Sequence, residues 1–201
     1  MSSTPAPEAS ARVRRRATAR PPLTIFTIGH STRTLEDFVE LLRIHGVRQV
    51  ADIRTVPRSR RYPQFEKEAL ARSLPARGLV YLHLPDLGGL RRARPDSVNT
   101  AWQNASFRGY ADYMATPAFA RGLEALIALA WKAPTAIMCA EAVWWRCHRR
   151  LVADALLVAG TKAKRQTIVI RHIVSTAAAA PHELTSFARV ENGRLTYPGL
   201  F

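Results

Sequence analysis

From Leu23 onward, short apolar runs alternate with longer stretches of helical period. That alternation is the rhythm of strand–helix units and a parallel sheet. Apolar and β-branched runs predict strands at Thr24–Ile28, Gln49–Ile53, Val80–Leu84, Thr135–Cys139 and Thr167–Ile173. Leu35, Phe38, Val39, Leu41 and Leu42 share one helical stripe and predict a helix over Thr34–His45, with Thr34 and Asp37 as a variant capping box and Gly46 as its stop. Further helices are predicted at Gln64–Ala76, closed by Gly78, at Phe107–Met114, at Pro117–Lys132 with the proline in its first turn, and at Trp145–Ala159. Asn192-Gly193, between Phe187–Glu191 and Arg194–Tyr197, is a two-residue hairpin signal. The expected fold class is α/β: an open, mainly parallel five-stranded sheet flanked by helices, with a C-terminal β-hairpin.

Residues 1–22 hold almost no large apolar side chain and are expected to be a disordered basic arm, because they cannot bury enough surface to offset ordering entropy. Arg12, Arg14, Arg15, Arg16 and Arg20 there suit contact with nucleic acid or a transit peptide as well as a passive tail. Residues 23–201 are expected to form a single α/β domain, since a chain of 201 residues fits one core. The longest apolar stretches, Leu156–Gly160 and Ile168–Ile173, fall far short of the roughly 20 residues of a membrane span. No membrane partner is therefore expected.

Charge changes the picture. Thirty Lys and Arg against 15 Asp and Glu leave a formal +15, which makes anions the natural partners, although biased composition produces the same balance. Two cysteines, Cys139 and Cys147, cannot build a disulfide framework, and a reducing cytoplasm is the expected location.

Ligands of open parallel sheets bind beyond the carboxyl ends of the strands, so the residues just past each strand carry the chemistry. Strand one leads to Gly29-His30-Ser31; strand two ends at Asp52 and Arg54; strand three carries His83 and Asp86 before Gly88-Gly89. Strand four gives Cys139 and Glu141, then Cys147-His148-Arg149, and strand five ends at His172. A cysteine near a helix start, flanked by Arg146, His148 and Arg149, favours a thiolate, and the same helix start offers an anion clamp. Cys147 is thus the candidate nucleophile, with His148, Glu141 and Asp52 as catalytic partners. Gly29, His30, Ser31, Arg54, His83, Gly88, Gly89, Tyr110, Cys139 and Arg149 are the candidate substrate-binding residues. Ten arginines are expected on this edge: Arg54, Arg58, Arg60, Arg61, Arg91, Arg92, Arg94, Arg146, Arg149 and Arg150. Tyr62, Trp102, Phe107, Tyr110, Trp144 and Trp145 are interleaved with them as stacking faces. No cofactor is expected: Cys139, Cys147 and His148, or His30 and His83, are acceptable zinc ligands, but two cysteines eight apart without a Cys-x-x-Cys pair argue against a metal.

Thr27-Ile28-Gly29-His30-Ser31, Asp52-Ile53-Arg54 with Pro57 and Ser59, Tyr81-Leu82-His83-Leu84 with Leu87-Gly88-Gly89, Phe107-Arg108-Gly109-Tyr110-Ala111, and Cys139-Ala140-Glu141 with Cys147-His148-Arg149 form an ordered series. It resembles the domain-of-unknown-function 488 family from about Leu23 to Tyr197. The resemblance implies an α/β domain and a site made of these motif residues, and it implies no reaction. The function expected is an enzyme acting on a phosphate-bearing substrate, a nucleotide or nucleic acid. The alternatives are a non-catalytic nucleic-acid-binding module, or a metal-dependent or small-metabolite enzyme.

Overall fold

Strand β1 (Leu23–Gly29) runs through the middle of a mostly parallel sheet in the computed structural model, which describes residues 21–162 and 167–199. The expected basic arm at 1–22 lies outside the described residues except for Pro21 and Pro22. Between β1 and the later strands come α1 (Leu35–Ile44), β2 (Gln49–Asp52), α2 (Lys67–Ser73) and β3 (Val80–His83). Then come α3 (Ala105–Tyr113), α4 (Pro117–Ala130), β4 (Thr135–Cys139), α5 (Arg149–Lys162) and β5 (Ile168–Ile173). The order across the sheet is β3-β2-β4-β1-β5, all parallel, with the two-residue β6 (Ala180–Pro181) antiparallel at the β5 edge. Six strands therefore replace the five expected; the extra one is too short to leave a periodic signal. A separate hairpin, β7 (Arg189–Glu191) with β8 (Arg194–Thr196), turns at Asn192 and Gly193, both with positive φ as a two-residue type I′ turn demands.

Burial on both faces explains the continuous apolar strands: every residue of β2 and β4 is buried. On one face, Ile28, Val50, Ala136 and Met138 pack with Phe38, Val39, Leu42 and Leu70 of α1 and α2. On the other, Ile25, Ala51 and Ile137 pack with Phe119, Leu126, Leu151 and Leu156 of α4 and α5. Thr34 caps α1 by accepting from the Asp37 N–H at 3.1 Å, and Gly46 beyond its end has φ 67°.

Two helices start or stop differently from expectation. The stretch Gln64–Ala76 breaks into a 3-10 turn at Pro63–Phe65, α2, and a second 3-10 turn at Pro75–Arg77, because Pro75 lacks the N–H that would continue the helix. The last helix begins at Arg149 rather than Trp145, since Trp144–Arg146 form a 3-10 turn and Cys147 is extended at φ −132° and ψ 151°. No helix among the described residues is long and apolar enough to cross a membrane.

A buried polar chain ties α5 to the sheet and to the C-terminal segment. Asp154 Oδ1 accepts from His182 Nε2 at 2.9 Å and from the Thr185 N–H at 3.0 Å, and Oδ2 accepts from the Tyr197 hydroxyl at 2.8 Å. With Nε2–H of His182 committed to the carboxylate, its Nδ1 accepts from His172 Nε2 at 3.0 Å, and His172 Nδ1 accepts from the Thr27 hydroxyl at 2.8 Å. Trp144 covers the far side, its ring 3.8 Å from His172 and nearly parallel to it.

Burial, then the neighbouring His182 and Arg149, bring the His172 pKa down to about 3. In the unfolded chain a histidine titrates near 6.5, so the unfolded state takes up the proton first as pH falls. Stability from this residue is complete above about pH 6.5 and is lost progressively toward about pH 3. The urea midpoint of the wild type is therefore expected to fall between pH 7.5 and pH 5, more steeply than that of His172→Gln; equal slopes for the two proteins would refute the assignment.

Candidate functional site

The β1-to-β2 crossover carries α1 on one face of the sheet, and the β4-to-β5 crossover carries α5 on the other. Adjacent strands with crossovers departing in opposite directions leave a crevice at their carboxyl ends. Pairing runs past the strand ends there: His30 N–H donates to the Cys139 carbonyl at 3.0 Å and Ser31 N–H to the Ala140 carbonyl at 2.9 Å. Ser31 adopts φ 49°, a left-handed conformation that turns the chain sharply at the mouth. The crevice widens into a cleft of about 740 Å³. Among the expected site residues, His30, Ser31, Arg54, Gly89, Tyr110, Cys139, Glu141, Cys147 and His148 line it. Gly29, Asp52, His83, Gly88 and Arg149 stand behind the wall.

Two thiols and an imidazole meet in this cleft. Cys139 closes β4, Cys147 precedes α5, and both are buried free thiols. His148 Nδ1 lies 3.6 Å from Cys147 Sγ and 3.9 Å from Cys139 Sγ. Its other nitrogen, Nε2, is 3.0 Å from the Ile53 carbonyl oxygen. A carbonyl only accepts, so Nε2 donates to it, and Nδ1 is the ring nitrogen turned toward the sulfurs. Burial pushes the Cys147 thiol up. A hydrogen bond from Cys139, the His148 ring and the Arg149 charge reverse this and bring it well below the ordinary cysteine value. The proton stays on Cys139, held well up first by its bond to Cys147 and then by burial.

The residues behind the wall hold it in place. Arg54 is clamped through Nε and Nη2 to the two oxygens of Asp52, at 2.9 and 2.6 Å, and Nη2 also reaches the Phe65 carbonyl at 2.7 Å. Tyr81 donates to the same carboxylate at 2.8 Å. Asp52, expected to be catalytic, is wholly buried behind the cleft wall, with its oxygens committed to Arg54 and Tyr81. His30 donates from Nδ1 to the Ser31 carbonyl at 3.0 Å, which leaves Nε2 as the acceptor 3.4 Å from Arg54 Nη1. Burial and the Arg54 charge lower the His30 pKa to about 4. His83 donates from Nε2 to the Arg54 carbonyl at 2.8 Å and so braces the loop from beneath. Arg149 is buried and donates from Nη2 to the Glu141 and Ala142 carbonyls. Glycines 29 and 88 mark close approaches: a side chain at Gly29 would overlap the Glu141 carbonyl, and one at Gly88 would overlap Thr55.

Among the described residues, the expected band of ten arginines narrows to four on the cleft wall, Arg54, Arg58, Arg61 and Arg146, facing one lining carboxylate, Glu141. Arg91 stacks on Tyr113, Arg94 pairs with Asp96, and Arg150 bonds Thr185 above the Trp102 ring. Of the aromatics, Tyr62, Phe107 and Tyr110 line the cleft, Trp102 is core and Trp145 is exposed. Sequence reasoning missed Thr55, whose hydroxyl donates to the Gly89 carbonyl at 2.7 Å, and the Ile53 carbonyl, and it named Tyr81 only as part of a motif. Thr55 and Tyr81 sit within the motif stretches that follow β2 and make up β3, whereas a backbone acceptor leaves no residue-type signal.

The protein is thus an α/β domain with a basic cleft at the strand ends and a two-thiol, one-imidazole corner. The chain belongs to the family described as Domain of unknown function DUF488, whose family model matches residues 34–156. No curated protein and no solved structure matches it.

Because the β1 terminus and the Glu141 carbonyl leave no room for a methyl, Gly29→Ala must displace the residue 140–142 loop. It is expected to cost about 1–3 kcal/mol of stability. Thermal and urea unfolding check this, and a variant as stable as the wild type would contradict the close approach.

Proposed function

We propose that this protein is an enzyme acting on a phosphate-bearing substrate, a nucleotide or a nucleic-acid strand. The substrate is bound by Arg58, Arg61 and Arg146 and turned over at the Cys139–Cys147–His148 corner. One observation carries the reading: two buried thiols and an oriented imidazole converge in a cleft whose wall holds four arginines and one carboxylate. Exposed guanidiniums attract and orient phosphate, and their planar fork suits its paired oxygens. Arg54, fixed by Asp52, is a charge that pays no ordering cost when the anion arrives. Tyr62 and Phe107 offer faces to a base. Glu141, exposed at the rim, is the group placed to carry a proton between the cleft and solvent.

The test is a panel of mononucleotides, single-stranded DNA and RNA oligonucleotides, and an aryl phosphate, assayed for binding and for turnover. Cys147→Ser is expected to lower turnover on the order of 100-fold or more while leaving binding within about threefold. Arg58→Gln with Arg61→Gln should weaken binding and flatten its dependence on log salt by roughly one unit for each arginine–phosphate pair removed. Tight, salt-dependent binding with no turnover of any member would make the protein a nucleic-acid-binding module and overturn the enzyme reading. Absence of binding to the whole panel would overturn the substrate class.

A further inference from the structure

We propose that Cys139, Cys147 and His148 form a zinc site with its fourth coordination position open to the cleft. The inference rests on the proposed function only in placing the reaction at this corner. It adds the cofactor.

Tetrahedral zinc with Zn–S near 2.3 Å and Zn–N near 2.0–2.1 Å separates a sulfur from a nitrogen ligand by about 3.6 Å, and two sulfurs by about 3.8 Å. The observed sulfur-to-Nδ1 separations are 3.6 Å for Cys147 and 3.9 Å for Cys139, and the three donor atoms all lie within 4.8 Å of one another. The Cys147 edge of the ligand triangle thus matches the ion, the Cys139 edge at 3.9 Å is slightly longer, and the sulfur–sulfur edge is no more than 4.8 Å.

The surroundings fit as well. A metal-bound histidine typically donates its other N–H to a carbonyl or carboxylate, which fixes the ring and its tautomer; His148 does this through Nε2 to the Ile53 carbonyl at 3.0 Å. Gly89 keeps the opposite side clear: a Cβ there would sit 3.0 Å from His148 Nδ1. The buried Arg149, whose Nε has no hydrogen-bond partner among the described residues, brings a positive charge to this corner. Two thiolates and a neutral imidazole bring the divalent ion to zero net charge, and thiolate with imidazole is a donor set that zinc prefers. All three donors line the cleft, so the fourth vertex meets solvent or a substrate oxygen, as in catalytic sites with three protein ligands. With the ion in place Cys147 is a ligand, and the vertex rather than the sulfur faces the substrate.

The spacing that argued against a metal is overcome by topology. Cys139 ends a central strand, the chain leaves through the residue 140–146 loop, and it returns to the same corner just before α5.

The untagged full-length chain, reduced and stripped with a chelator, is titrated with Zn²⁺ against a chromophoric competitor and, separately, with Co²⁺. Expected are one Zn²⁺ per chain and, with Co²⁺, a thiolate charge-transfer band together with the visible bands of tetrahedral cobalt. Cys139→Ser, Cys147→Ser and His148→Ala should each weaken Zn²⁺ binding by more than about 100-fold. Gly89→Ala, which retains all three ligands, should weaken it on the order of 10-fold by crowding Nδ1. No stoichiometric Zn²⁺ binding by the wild type, an octahedral cobalt spectrum, or full affinity in His148→Ala would overturn the proposal. Mononucleotide and oligonucleotide binding by the same samples separates the two readings. Anion binding without zinc overturns the metal alone, and zinc binding without any anion overturns the substrate class alone.

Discussion

Everything at the site depends on the parallel pairing of β1 with β4, two strands far apart in sequence whose chains depart to opposite faces of the sheet. The hydrogen bonds from His30 to Cys139 and from Ser31 to Ala140 carry that pairing beyond the regular strands. They place a histidine, a serine and a cysteine at the lip of the crevice left by the diverging crossovers. Gly29 allows the close approach, since the Glu141 carbonyl occupies the volume a side chain would need. Buried apolar residues on both sheet faces hold the strands in register, and the polar loops inherit their positions from that core.

Backbone carbonyls then decide the chemistry of the rings. The Ile53 carbonyl takes the Nε2 proton of His148 and turns Nδ1 to the thiols; the Ser31 carbonyl takes the Nδ1 proton of His30 and leaves Nε2 facing Arg54. Two imidazoles on one cleft thereby turn their second ring nitrogens inward, one to sulfur and one to a guanidinium. The buried Asp52–Arg54 pair costs desolvation, and what it supplies is geometric: a fixed cation on the wall, held by three side-chain and backbone acceptor atoms.

Strand positions are legible in the sequence because buried parallel strands are continuous apolar runs, and the strand-end rule then brings Cys139, Cys147, His148 and His30 to one place. Element ends are less legible. Trp144–Arg146 form a 3-10 turn from which Trp144 stacks on His172, a residue of β5 that no local pattern links to it. The arginine band is overcounted for a similar reason: a sequence puts Arg91, Arg94 and Arg150 near the edge but cannot show that Tyr113, Asp96 and Thr185 claim them. Asp154 and His182, at the heart of the buried brace, look like ordinary polar residues of a helix and a loop. Their importance comes from a chain of hydrogen bonds between elements.

The central claim is that one mouth of the molecule gathers these residues around an anionic ligand. The most direct measurement is the alkylation rate of Cys147, read by peptide mass spectrometry on the metal-free chain, with and without a bound single-stranded oligonucleotide or mononucleotide. The account predicts that ligand slows labelling at Cys147 in step with occupancy. Unchanged labelling at saturating ligand would place the anion elsewhere and contradict it.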